Sequence, residues 1–539
     1  MAQDESKGLP MTAKWDPEKL QKEIDSLEEL DRSPLLKKVG GYVKRSGPGL
    51  LQSAMTLGAG SAAASVVAGA SFGYKLLWVQ PLAMFLGVCM LAALSKVVLV
   101  TQEKPYQAFR RELGFMGPLL VFLWALGTIS ASVIWHFPQY GLASGAVKDL
   151  AMTVMGTSEL TAGTGNCIAW CAGLAILLIN VITVWSYGSS RTGIKIYENF
   201  LRFVIFLVII SFGLVVACNF GKIDWLAMGR GFLGLDAAPI LKDSKNLILV
   251  LGMLGAAVGI NMTFLYPYSL LAKGWGPHHR TLAKWDLGMS MFVPFVLVTS
   301  LIMLGMTVGG VYSGDVLRDG LKPLEASKVL VDLIGPAGRI IFDLGLIGMA
   351  CGAISAHMVV CGFTLPEMFG LKYTKWTFRL CALVPAVGIL GVMLQLPFWF
   401  PVFASAICFT MLPIAYFIFL VMSNKKSYLG DAVGRGPLHA LFNLILVIAL
   451  VVSLIGAVIA VNAKVIQPIW NAMAKPAAEA PAEIPAEPAT ETAPAEVAAE
   501  PAAETAPAEV AAEPAAETAP AEVAAEPAAE TAPAEAPAK

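Results

Sequence analysis

Charge is what this chain has least of. Only 14% of its 539 residues are Asp, Glu, Lys or Arg, against roughly 25% in soluble domains, too few to cover a water-exposed globule. No GxxxxGK[ST] stretch occurs, so the phosphate-cradling loop that ATP-driven pumping needs is missing. The expectation is a protein that is not an enzyme, holds no cofactor and binds no nucleic acid. A cleavable signal peptide is not expected, because residues 1–45 are polar and Pro17 to Ile24 reads as a short charged helix. The eight cysteines all fall in apolar stretches. They read as small buried packing groups without structural disulfides, and Cys167 with Cys171 makes a single i,i+4 pair, too little for a metal centre.

What the chain has instead is apolar length. It is 56% hydrophobic with a mean hydropathy of +0.67. Stretches near 49–70, 74–101, 117–146, 165–187, 197–220, 245–271, 285–310, 337–363, 378–396, 400–423 and 438–462 are each long enough to cross roughly 30 Å of hydrocarbon. The reading is an all-α membrane protein of about eleven transmembrane helices. Lys37, Lys38, Lys44 and Arg45 precede the first span, and Lys104, Arg110, Arg111, Lys273, Arg280, Lys284, Lys425, Lys426 and Arg435 follow even-numbered ones. By the positive-inside rule this predicts a cytoplasmic N-terminus, an external C-terminus and an inner-membrane location.

Three regions follow: residues 1–46 as a cytoplasmic segment, 47–463 as the membrane domain, and 475–539 as a disordered tail. The tail repeats Glu-Pro-Ala-Ala-Glu-Thr-Ala-Pro-Ala-Glu-Val-Ala-Ala from Glu500 and again from Glu513, and carries 14 glutamates. Regular proline and one-sign charge favour an extended, self-repelling chain. The net charge of −1 therefore averages a basic membrane body with an acidic tail.

Two glycine-rich interruptions carry the functional signal. Gly58-Ala59-Gly60-Ser61 breaks the first apolar span and Gly255 to Asn261 breaks the sixth. Broken spans at matching places in two halves are the mark of an inverted repeat of five helices, here 5+5 plus one extra helix. The backbone groups they free at mid-membrane are tolerable only where they line a cavity. Half-helix N-termini there would suit an anion or zwitterion, whereas Asn261, Thr263, Tyr266 and Tyr268 could meet a polar solute or a partly hydrated cation. Intramembrane His136 and His357 are candidates for carrying protons. Asp286 and Asp343 fall near the starts of their spans and look less deep.

Gly47-Pro48-Gly49-Leu50-Leu51 and the run Ala68 to Val79 resemble the first-helix signature of the Nramp divalent-metal transporters. Val98 to Thr101, Gly255 to Val258, Gly345 to Gly362, Arg379 to Ala386 and Leu412-Pro413 continue the likeness over roughly residues 45–462. The resemblance implies a leucine-transporter-type fold, alternating access and symport of a metal cation. It also marks departures. Where the family has Asp-Pro-Gly-Asn this chain has Gly58, Ala59, Gly60 and Ser61, and where it has Met-Pro-His this chain has Gly259, Ile260 and Asn261. Met411 stands for the family glutamine of the tenth helix, and Trp135 with Pro138 for the acidic pair of the third. Arg379 matches the ninth-helix arginine of the proton path.

The candidate substrate residues are thus Gly58, Ala59, Ser61, Gly259, Asn261, Met262, Thr263 and Met411; His136, His357 and Arg379 are the coupling candidates. A divalent ion leaving water usually needs at least one anionic ligand. The expected function is secondary active transport with a remodelled site that is not a high-affinity manganese or iron site. An organic or anionic solute on the same fold, and a sensor or scaffold that no longer transports, are the alternatives. The expected partners are the lipid bilayer, a small solute or ion, and protons as the coupling species.

Overall fold

A computed structural model describes residues 16–157, 159–187, 191–321, 335–393 and 399–462. The tail assigned to 475–539 lies outside these. Among the described residues every regular element is helical. Ten helices are long and apolar enough to cross a membrane, and the pair Pro48–Thr56 and Ala59–Phe72, bent by 49°, makes an eleventh. Span 1 consists of those two half-spans, 1a and 1b. Spans 2 to 5 are Val79–Thr101, Gly117–Met155, Ala162–Tyr187 and Arg191–Cys218. Span 6 is again two half-spans, 6a Ser244–Ala257 and 6b Ile260–Lys273. Spans 7 to 11 are Pro277–Val308, Pro336–Phe369, Lys375–Met393, Trp399–Asn424 and Pro437–Val461.

The breaks are made by extended residues between helical turns. Gly58 (φ −123°, ψ −168°) and Gly259 (φ −93°, ψ 162°) each cap the second half-span of their pair. Neither φ demands glycine; at Gly58 space does. A Cβ there would stand 2.6 Å from Gln139 Nε2 and 2.8 Å from Ala353 Cβ. The bend therefore lets spans 3 and 8 close on the first break.

Neighbour relations repeat under the exchange of spans 1–5 with 6–10. Half-span 1a packs on span 8 as 6b packs on span 3, and 1b packs on span 7 as 6a packs on span 2. Span 3 touches span 4 as span 8 touches span 9, and spans 3 and 8 pack on each other. Span 11 lies against spans 10 and 2, outside the repeat.

Burial separates an inner group from a lipid-facing ring. The most apolar window of span 8 is 89% buried and that of span 6 83%, against 28% for span 11. Leu174, Leu178 and Ile182 on span 4, and Leu444, Ile448, Val451 and Ile455 on span 11, form exposed stripes at helical spacing. The cysteines divide the same way. Cys89, Cys351, Cys361 and Cys408 are buried, but Cys167, Cys171 and Cys218 are exposed and Cys381 is half-buried, so the expectation that all pack inside is corrected. In a bilayer the outer face is as apolar as the core, so an apolar stretch does not distinguish them. All eight are free thiols.

The charged N-terminal helix spans Pro17–Arg32, and a second helix, Leu35–Arg45, follows it. Tyr42 of the latter stacks on Trp285 at the start of span 7, with ring centroids 5.5 Å apart and 9° between planes.

Candidate functional site

The two breaks face each other across a cavity of about 20 Å³, room for one water-sized particle at roughly 10–15 Å³ each. Span 1 contributes Met55, Thr56, Gly58, Gly60 and Ser61, and span 6 contributes Gly255, Ala256, Gly259, Asn261 and Met262. Trp135 and Gln139 of span 3 and His357 of span 8 complete the lining. None of these side chains is acidic. Among the described residues no group of three or more His, Cys, Asp or Glu could hold a metal ion.

Most polar groups at the breaks satisfy one another. Ser61 Oγ donates to Thr56 O at 2.6 Å and Gly58 O at 3.2 Å, stapling half-span 1b onto the end of 1a. The Ala59 N–H donates to Gln139 Oε1 at 2.8 Å. In span 6 the Gly259 N–H points at Met262 Sδ (3.3 Å), and the Met262 N–H donates to Asn261 Oδ1 (3.0 Å). These N–H groups are the ones an anion would use at a half-helix N-terminus; in this conformation side chains occupy them.

The histidines form a linked pair. Asn261 Oδ1 is taken by the Met262 N–H, so Nδ2 faces His357 Nδ1 at 2.9 Å. An amide nitrogen only donates, which makes that Nδ1 an acceptor and puts the ring proton of a neutral His357 on Nε2. His136 Nδ1 lies 2.9 Å from Ser132 O; a carbonyl only accepts, so this nitrogen carries hydrogen. His136 Nε2 is buried without a hydrogen-bond partner, and the two ring centroids are 5.5 Å apart. A hydrogen bond thus leads from the cavity through Asn261 to His357, and His136 stands in ring contact behind it.

Of the residues singled out in the sequence, Gly58, Ser61, Gly259, Asn261, Met262 and His357 line the cavity, and Ala59 takes part through its backbone. His136 stands behind the lining, against the ring of His357, and three others lie elsewhere. Thr263 Oγ1 donates to Ile260 O at 2.5 Å and accepts from Trp124 Nε1 at 2.7 Å. Met411, at the kink between Phe409 and Leu412, packs towards Gly127, its Sδ 3.1 Å from where a Cβ would stand. Arg379 is held between the rings of Trp185 and Trp376, 5.1 and 5.3 Å from their centroids. Gln139 and Trp135 fall outside the substrate and coupling candidates named from the sequence. A glutamine one turn after a tryptophan inside an apolar span is a costly polar group, and that signal was readable.

Asp286 and Asp343 are also deep, 0% and 2% exposed. Asp286 receives the Gly47 and Gly49 N–H groups at 3.2 and 2.5 Å, capping half-span 1a with its carboxyl group. The Ser46 carbonyl beside it accepts from Arg202 Nη2 (2.8 Å) and Lys273 Nζ (3.3 Å), while Lys273 pairs with Glu198 at 2.7 Å. Half-span 1a is thereby tied to spans 5, 6 and 7 at its outer end. Asp286→Asn is expected to cost about 1–3 kcal/mol, since one N–H would then face an amide donor. Hydrogen exchange of residues 48–56 should speed up while spans 4 and 9 stay unchanged; unchanged exchange in 48–56 would remove the carboxylate from this role.

The model of the Nramp family, natural resistance-associated macrophage protein-like, matches residues 49–460. The divalent metal cation transporter MntH of Deinococcus radiodurans is 23% identical over 399 residues, covering 72% of this chain and 84% of its own. Among solved structures, a mutant of the Eremococcus coleocola manganese transporter aligns with a TM-score of 0.57 at 15% identity, over 82% of this chain and 90% of that one. MhsT in complex with L-phenylalanine aligns with a TM-score of 0.52 at 15% identity, over 76% and 98%. The architecture is the leucine-transporter-type fold, a 5+5 inverted repeat with one further helix. With a match that runs through both breaks and the cavity between them, this multi-pass membrane protein belongs to the Nramp family of transporters.

Proposed function

We propose that the chain is a secondary active transporter that carries one small cation at a time through the cavity between the breaks. The observation that carries this reading is the cavity itself: one-particle volume and a neutral lining of amide, hydroxyl and thioether groups with Asn261, Ser61 and Met262 at its wall. Pockets for organic ligands run to roughly 300–1,000 Å³, so an amino-acid-sized solute fits this conformation poorly. The relatives' divalent-metal and manganese transport agrees with a cationic cargo. High-affinity manganese or iron binding is a different matter, because no carboxylate offsets the dehydration of a divalent ion. Met55 and Met262 bring the soft thioether donors to the wall, and Met262 Sδ is engaged by the Gly259 N–H.

Proton coupling falls to His357 and His136 on this reading. His136 Nε2 is an open acceptor next to a ring that reaches the cavity through Asn261. The basic loops put the end of the bundle that holds Lys273 and Arg280 in the cytoplasm.

A proteoliposome flux panel of manganese, magnesium, bicarbonate and amino acids, run with and without a proton gradient, tests the proposal. Cation flux that saturates only at millimolar concentration is the expected result, with Asn261→Ala reducing it about tenfold, the order of one lost polar contact of a charged cargo. Saturable manganese uptake at micromolar concentration would sink the remodelled-site reading. Amino-acid or bicarbonate flux without cation flux would replace the cargo.

A further inference from the structure

A second and larger cavity, about 360 Å³, opens at the basic end of the bundle, between the end of span 2, the start of span 7 and the connection from span 10 to span 11. Lys96, Arg280, Lys284, Arg435 and His439 line it, and no acidic side chain does. Among the described residues no carboxylate lies within ion-pair distance of Lys96, Arg280 or Lys284. Arg435 reaches Asp431 at 3.1 Å, but both side chains are largely exposed, so that pair neutralises little. Lys96 Nζ touches only the Ser423 carbonyl, at 3.4 Å. His439 is fixed by Asn424 Oδ1, 2.9 Å from its Nε2.

Four like charges around one hollow repel each other unless an anion sits between them. The walls say which kind. Leu438 and Phe442 of span 11 form the apolar side, and Leu438 is 81% exposed where span 11 meets the lipid-facing surface. We infer that this cavity holds the phosphate of an anionic phospholipid, its headgroup among Arg280, Lys284, Arg435 and Lys96 and its acyl chains along span 11. Basic pockets between transmembrane helices at the charged face of a membrane bind such headgroups, each Lys or Arg adding to the attraction. A free phosphate would need the cations but not the apolar wall. The site lies apart from the transport cavity and shares no residue with it.

The test uses the full chain in nanodiscs of phosphatidylcholine doped with spin-labelled phosphatidylglycerol. Immobilised label should be lost in Arg280→Gln/Lys284→Gln, with affinity down about tenfold or more for two charges removed, and kept in Lys222→Gln at the opposite end of the bundle. Inorganic phosphate at millimolar concentration should leave the immobilised signal unchanged. Equal signals in all three proteins, or displacement of the lipid by inorganic phosphate, would overturn the assignment. Should the double variant fail to fold, Arg435→Gln, at an exposed side chain, reads the same loss, and an unchanged signal there overturns it too.

Discussion

Arg339→Ala is expected to cost about 3–5 kcal/mol, the range for removing one partner of a buried ion pair. Arg339 Nε donates to Asp149 Oδ2 at 2.7 Å and Nη2 contacts Oδ1, a two-point grip between spans 8 and 3. Its side chain is 17% exposed and that of Asp149 only 5%. Asp343, one turn further along span 8, is 2% exposed and has an oxygen without a hydrogen-bond partner. Alanine would take the guanidinium away from a carboxylate, Asp149, that is only 5% exposed. Because spans 3 and 8 supply Gln139, Trp135 and His357, the loss should reach transport as well as stability. Thermal unfolding in detergent measures it. Arg339→Ala/Asp149→Ala should recover at least half the loss, since the second change removes the stranded charge. A single-variant cost below about 1 kcal/mol, the level of an exposed pair, would contradict the burial argument.

Gly255→Ala is the second large effect. An added Cβ would lie 2.3 Å from the Ser405 carbonyl oxygen and 3.0 Å from Phe409 Cβ. The first is backbone, which no rotamer change can move, so half-span 6a would have to back away from span 10. Overpacking of this kind costs about 1–3 kcal/mol and sometimes more, and here it displaces a residue that lines the cavity. The expected result is reduced folded yield and at least tenfold lower flux from the protein that does fold, by the sensitivity of positioned sites to shifts of about 1 Å. Gly213→Ala is the matched control: no atom lies within 4 Å of its added Cβ, and alanine is the better helix former. Wild-type flux in Gly255→Ala would mean that the contact with span 10 is looser than these distances imply.

Much of the fold was legible because a bilayer enforces length and apolarity on each span, and because glycine runs at Gly58 and Gly259 mark where helices stop. The lack of acidic side chains at Gly58-Ala59-Gly60-Ser61 and Gly259-Ile260-Asn261 was legible too. What the residues did not announce was who meets whom. Thr263 and Asn261 both follow the sixth-span break. Two positions along a helix turn by about 200°, so Asn261 faces His357 and Thr263 faces Trp124. Gln139 caps a backbone N–H eighty residues away, a pairing set by packing of spans 3 and 1 and not by any local pattern. Asp286 looked shallow by its place near a span start, yet Gly47 and Gly49 fold over it.

The neutral lining of the cavity has an electrical consequence. An elementary charge crossing the membrane exchanges roughly 2.3 kcal/mol per 100 mV with the field. With no carboxylate, lysine or arginine on the cavity wall, the wall carries no fixed charge as the carrier reorients, and a proton on His357 is the charge it can add. Membrane voltage then acts on the cargo and on the coupling protons. The charge displaced over a cycle is then the valence of the cargo plus that of the protons moved with it, with no fixed protein charge to subtract.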